Sequence, residues 1–368
     1  MFALGPQYYS HIYYVLVAVL SVAVFRQYAI YQKTRFYENG RTSLAGFFIL
    51  TLFLVLFIGL RPVSEMYFVD MEAYSSYYAL RLGDPFDFNW STDNIIFDNY
   101  LLFLSSRGIP QEVFFLSIAL IYFGCMAWAC ACLFPRDKMA AFLVCLGALS
   151  AFSYATNGIK AGAAASIFLV AIAMYERRKL LWTILFALLS LGFHHSMIVP
   201  IAAFIICHFV KNPKFYYAIW VFSFVVALLH ISFFQQLFAG LADEQGASYL
   251  LGEGEHIRHD ILGGFRIDFI LYSAVPILIG WIATTKKRIQ SKPYNFVLNL
   301  YILTNSIWIL CMYAEFTNRI AYLSWFMLPI VIIYPFLKEE WGPSQYHTFH
   351  WVALGHLGFT LFMQYIYY

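Results

Sequence analysis

The chain has 368 residues, of which 62% are hydrophobic and 12% charged, with a mean hydropathy of +0.68. These values exclude a water-soluble globular domain and make lipid the main solvent. A net charge of only +3, from dispersed basic residues, also excludes a nucleic-acid surface.

Apolar runs set between turn and charge signals predict twelve helices. They lie near 8–25, 44–60, 111–133, 139–156, 159–175, 180–193, 196–209, 215–231, 266–284, 294–314, 320–337 and 347–366. The expected fold class is all-α, a polytopic membrane protein with about 12 (10–12) transmembrane helices in a single integral membrane domain over 1–368. No basic stretch precedes "YYVLVAVLSVAVF", so the first run reads as a retained anchor. The runs at 180–193 and 196–209 are short, about 21 Å each. They read as two short spans, one kinked helix or a re-entrant pair. All six cysteines lie in apolar stretches, where Cys acts as a small hydrophobe, so neither a disulfide nor a metal site is expected.

If the connection at 26–43 is cytoplasmic, alternate connections collect sixteen of the 23 basic residues and only five of the 20 acids. Basic residues on short loops set orientation, so both termini are expected to face outward. Outward loops then fall near 61–110 and 232–265. The first mixes Asp, Tyr and Trp in a pattern that suggests short amphipathic helices on the membrane surface. The second is rich in Gly and charge and reads as a flap.

The outward charges next to helix starts are the ones lipid should reject. In "SYATNGIKAGAAAS", Lys160 opens the 159–175 helix and Asn157 suits its N-cap. Gly158, Gly162 and Ser166 form a small-residue ridge that admits a neighbouring helix. Lys160 points about 200° away from the two glycines. It is either a lysine snorkelling to the headgroups or an anion-binding cation reinforced by the helix N-terminus.

"LGFHHSMIVP" sets His194 and His195 between two apolar runs, either bonded to a carbonyl at a helix break or holding a proton at a site. In "AEFTNRIAYLSWF", Arg319 and Tyr322 share a helix face, and the guanidinium either grips a phosphate or pairs with Glu315. Arg266, with Asp268 two residues on, begins another span in the same manner. "YFVDMEAYSSYY" puts Asp70 and Tyr74 four residues apart, as part of a solvated acidic loop or as a carboxylate meeting a hydroxyl at a cavity mouth. Cations gathered at one membrane face suggest a phosphorylated amphiphile, and the nearby acid and base suggest chemistry on its polar head.

The segment "TNGIKAGAAASIFLVAIAMYERRKLLWTILFALLSLGFHHSMIVP" resembles the central signature of the EpsG family of bacterial Wzy-type polysaccharide polymerases. There, Thr-Asn-Gly-Ile-Arg precedes a small-residue helix and a Phe-His-hydroxyl motif. Asp70 with Tyr74, and Arg319 with Tyr322, resemble further family elements. Lys160 departs from the family's arginine, which keeps the charge but loses the bidentate fork.

The resemblance implies a GT-C-like membrane glycosyltransferase of the bacterial inner membrane. It would move a glycan from undecaprenyl pyrophosphate to the non-reducing-end hydroxyl of a second lipid-linked repeat unit at the periplasmic face. It implies pyrophosphate contacts from Lys160, Arg319 and Arg266. It gives catalytic roles to His195, preferred over His194 because Ser196 follows it, and to Asp70. Asn157, Tyr74 and Tyr322 are supporting residues. No cofactor or metal is expected, and a chain-length regulator joins the two lipid-linked substrates as a partner. The rival classes are a flippase for lipid-linked glycan, which needs ionisable groups near the midplane, and a multispan acyltransferase, which needs a cytoplasmic entry for its donor.

Overall fold

Each of the twelve apolar runs is helical in the computed structural model, which describes residues 4–30, 44–239 and 264–367. In chain order the helices are α1 (Tyr8–Ile30), α2 (Leu44–Gly59), α3 (Val69–Leu80), α4 (Ile95–Ser106), α5 (Gln111–Leu133) and α6 (Lys138–Leu146). There follow α7 (Ala151–Thr156), α8 (Ile159–Glu176), α9 (Leu180–Phe193), α10 (Ile198–Phe209), α11 (Pro213–Leu228) and α12 (Phe233–Ala239). The last five are α13 (Ile267–Trp281), α14 (Lys292–Leu310), α15 (Thr317–Trp325), α16 (Leu328–Leu337) and α17 (Gln345–Phe362). No strand occurs among the described residues.

The protein is a multi-pass helical membrane protein. Five of its helical stretches are long and apolar enough to cross a bilayer: Tyr8–Ile30, Gln111–Leu133, Ile159–Glu176, Ile267–Lys286 and Thr317–Leu337. Other apolar helices are shorter, among them α2, α9 and α11. The first of the two expected outward loops does carry two short helices, α3 and α4. Residues 240–263 of the expected flap, and 31–43 of the first connection, lie outside the described residues.

Two boundaries differ from the sequence reading. The run at 139–156 is not one helix, because α6 stops at Leu146 and α7 starts at Ala151. The carbonyls freed by this break find side-chain donors from other helices. Tyr13 of α1 donates to Leu146 O (2.8 Å), and Thr360 of α17 donates to Gly147 O (2.8 Å). In lipid such carbonyls need internal partners, so α1 and α17 together make the break tolerable. The run at 320–337 likewise divides into α15 and α16, with a turn at 326–327.

The chain forms two compact units, Met1–His195 with Phe336–Lys338 and Gly342–Tyr368, and Ser196–Pro335 with Glu339–Trp341. In the first, α8 is the central helix, packed by α5 and α9 and buried from Gly162 to Met174. Its small residues serve three neighbours rather than one. A Cβ on Gly162 would lie 2.4 Å from the Tyr154 carbonyl oxygen of α7. Ser166 donates to Ile121 O of α5 (3.4 Å), and Ser190 of α9 donates to Ala164 O (2.7 Å). Gly162→Ala therefore should lower the thermal midpoint of the purified protein, with an overpacking cost of about 1–3 kcal/mol. Gly158→Ala, whose Cβ would meet only ring carbons of Tyr154 from 3.4 Å outward, should leave the midpoint near wild type.

The ends of α8 gather different residues. Its last residue, Glu176, pairs with Lys338, and the following Arg177 donates to Cys132 O (3.0 Å). All three charged residues come from connections that the charge rule assigns to the cytoplasm. The other end, about 24 Å away at 1.5 Å per residue, carries Lys160.

In the second unit α14 is central, with α10, α11, α13 and α15 packed on it. Asn305 of α14 is fully buried and fully used. Its amide donates to Ser273 Oγ of α13 and Ser324 Oγ of α15, both at 3.1 Å, and its carbonyl accepts from Trp220 Nε1 of α11 at 2.9 Å. One carboxamide thus joins four helices, the means by which polar groups hold lipid-embedded helices together.

Candidate functional site

The first unit builds a site around Lys160. The side chain is the second residue of α8, where a positive charge opposes the helix dipole. The fold compensates with a carboxylate from elsewhere, since Asp98 Oδ1 of α4 lies 3.6 Å from Lys160 Nζ. Both side chains remain about a quarter exposed, at 22% and 24%. The rings of Tyr74 and Phe97 face the ammonium, with centroids at 5.6 and 5.5 Å, and meet each other edge to face. The far oxygen of Asp98 accepts from the Thr92 hydroxyl.

Local sequence explains how α4 gets there. Gly192 of α9 has no Cβ, and one would lie 2.5 Å from Ile96 Cδ1 of α4, so this glycine lets the two helices close up. Asn94, the residue before α4, does not cap its own helix. Its Oδ1 instead accepts the backbone N–H of His195 at 3.1 Å. The segment 92–98 thereby holds Asp98 beside Lys160 at one end and the His194–His195 corner at the other. His194 ends α9 in extended conformation and His195 begins a short 3₁₀ turn, so the pair does lie at a helix break.

Asn157 is not the N-cap of α8. The chain turns back at this residue, with the N–H groups of Asn157 and Gly158 both reaching Ser153 O (2.9 and 3.0 Å). Asn157 therefore closes α7, and Gly158 begins α8 without a side-chain cap. The Asn157 Oδ1 is buried and has no hydrogen-bond partner among the described residues.

Arg61, just beyond α2, secures this corner from below. Only 5% exposed, it donates to Ile58 O (2.8 Å) and Thr156 O (2.7 Å) and lies over the rings of Phe68 and Phe115. Burial pushes its guanidinium down to about 9, opposed by the Tyr9 phenol, so it stays charged at neutral pH. Asp70 lies in the first turn of α3, one turn before Tyr74.

Arg266, Arg319 and Tyr322 belong to the second unit. Arg266 is engaged by Asp268 through Nε (3.0 Å) and Nη2 (2.6 Å), and stacks 3.7 Å over Phe269. Arg319 is exposed in the first turn of α15, with its guanidinium 4.9 Å over the ring of Phe316. Phe316 itself has φ +51, an uncommon left-handed position for a non-glycine residue. Tyr322 is buried against Trp325.

The site thus joins Lys160 and Tyr74 directly and His195 through Asn94, on a framework the sequence reading did not single out. Asp98 was one of many acids in an acid-rich loop. Arg61 did carry a signal, as a cation ending an apolar run on the side where the charge rule disfavours one.

Residues 44–345, most of the chain, match the EpsG family. This chain belongs to the EpsG family. The family comprises Wzy-like polysaccharide polymerases, also described as EpsG glycosyltransferases. At that level the protein is a polymerase-type glycosyltransferase of polysaccharide biosynthesis. No curated protein and no solved structure matches the chain.

Proposed function

We propose that this EpsG-family protein polymerises glycan repeat units carried on undecaprenyl pyrophosphate at the periplasmic face of the bacterial inner membrane. The observation that carries the reading is the partly exposed Lys160–Asp98 pair at the head of α8, walled by Tyr74 and Phe97. A lysine in the first turn of a helix suits an anion, and Asp98 pairs with it in the structure.

In the proposed reaction the donor's anomeric carbon–oxygen bond to phosphate breaks and the lipid pyrophosphate leaves with the bonding electrons. The acceptor hydroxyl oxygen bonds to that carbon and gives up its proton. Lys160 stabilises the charge on the departing pyrophosphate. Arg319, exposed on α15, is separately a contact for lipid phosphate. Arg266, two of whose nitrogens Asp268 already holds, orders the start of α13. As Lys160 turns to phosphate, Asp98 is left to accept the hydroxyl proton. His195 orients the acceptor, and Asp70 contacts its sugar.

Gel analysis of surface glycan from a null strain complemented with variants tests this. Lys160→Ala, Arg319→Ala and the double replacement of His194 and His195 by Ala should each collapse the ladder to single repeats. A ladder of wild-type length from all three would end the polymerase reading. A flippase would instead lose surface glycan altogether, and an acyltransferase would keep an intact ladder.

A further inference from the structure

We infer that α3 and α4 hold a saccharide subsite, about two sugar units along the glycan from Lys160; this rests on the polymerase reading. A cavity of about 220 Å³ lies between the two helices and the segment 81–90 that joins them. The segment is tied down at both ends. Gly83, at φ +81, donates its N–H to Ser105 O of α4 at 2.9 Å. Asn99 of α4, 5% exposed, accepts from Asn89 N (2.7 Å) and donates to Asn89 O (2.9 Å). The cleft is therefore a built feature of the fold.

Its wall has the chemistry that reads a sugar. Phe86 presents a ring held edge-on to Phe103, with centroids 5.7 Å apart. Around it are the carboxylates of Asp84 and Asp87, the amide of Asn89 and the hydroxyls of Tyr77 and Ser106. A pyranose has an apolar face for the ring and a rim of hydroxyls for the planar polar groups. The volume is below the roughly 300–1,000 Å³ of drug-sized sites, and suits a single sugar. Two carboxylates against one guanidinium, Arg81, leave the wall negative, which disfavours a phosphate headgroup and favours an uncharged sugar.

Helical register connects cleft and site. On α4, Asp98, Leu102 and Ser106 recur every fourth residue and share a face, spanning about 12 Å. On α3, Tyr74 and Tyr77 are three apart and share a face in the same way, with Arg81 just past the helix end. Both stripes start at Lys160, through Tyr74 and Asp98, and both end at the cleft, through Arg81 and Ser106. A glycan reacting at Lys160 runs along this track and lays an inner sugar against Phe86. Such remote binding would select the correct repeat unit and hold it for reaction.

The test uses full-length protein in nanodiscs, titrated with oligosaccharides released by partial hydrolysis from the producing cells' own surface polysaccharide. Binding is read by saturation-transfer NMR in wild type, Phe86→Ala, Asp87→Ala and Leu102→Trp. The last fills the cleft without removing a polar group, and monodisperse elution checks that each variant folds. Expected are wild-type binding, a loss of at least tenfold in each variant, a raised acceptor KM at unchanged kcat, and a shorter ladder. The proposal is overturned if wild type does not bind, or if the variants bind as wild type does. It is overturned equally if they lose binding only to phosphatidylglycerol vesicles. Lys160→Ala separates the two readings: a full ladder from it sinks the polymerase assignment, while the titration still judges the cleft.

Discussion

Lys160→Ala is expected to slow polymerisation by about 100-fold or more while leaving the protein folded, because a preorganised charge at a leaving group contributes roughly 2.7–4 kcal/mol to the barrier. Stability cannot account for such a loss. The Lys160–Asp98 pair is 3.6 Å long and about a quarter exposed, and such pairs contribute about 0–1 kcal/mol. The thermal midpoint should therefore stay close to wild type. Lys160→Arg, which keeps the charge and adds a bidentate fork, should retain most of the rate. Asp98→Asn keeps the Thr92 hydrogen bond but removes the proposed proton acceptor, and should lose rate with little change in donor affinity. The measurement is single-turnover transfer between lipid-linked repeat units, with midpoints taken on the same preparations. A Lys160→Ala rate within about threefold of wild type would remove the residue from the reaction.

Arg61→Ala is expected to act oppositely, with a large loss of stability that precedes any effect on chemistry. The guanidinium is 95% buried by its 5% exposure, and it is the donor to both Ile58 O and Thr156 O. Hydrogen bonds from a charged group are each worth about 1.5–3 kcal/mol, and truncation also orphans the Thr156 carbonyl in a dry site, while Ile58 O keeps the backbone N–H of residue 61. A cost of about 3–5 kcal/mol follows, enough to reduce yield and monodispersity sharply. Arg61→Lys keeps a cation but cannot reach two carbonyls in a fixed fork, so it should fold with a lower midpoint. Thr156 ends α7 next to the turn that starts α8, so this variant should also lose some activity through a less well held Lys160. Fluorescence-monitored size exclusion across a temperature series reads the effect. An Arg61→Ala midpoint equal to wild type would show that the corner at Thr156 holds itself.

The positions of helices were legible because lipid demands long apolar runs, and each of the twelve runs is helical. Their breaks were less legible. Whether 139–156 runs on or stops at Leu146 depends on Tyr13 and Thr360, donors from other helices that can satisfy the freed carbonyls. The same holds for Asn157. Its residue type suits a cap, but the turn that would make it one begins a residue later, so its side-chain oxygen ends buried instead.

The amino-acid sequence by itself determined the all-helical membrane class, the family and the prominence of Lys160, His194 and His195, because these follow from composition, from charge next to apolar runs and from local motif. Only the tertiary structure decided what those residues touch. The link from Asn94 to His195 spans 101 positions and that from Arg61 to Thr156 spans 95. Asp98 is singled out from the loop's other acids only by reaching Lys160. Local pattern constrains a residue's own helix face, whereas pairings between distant segments depend on which glycines let helices close and which carbonyls need a donor. Those conditions are met only once the chain has packed.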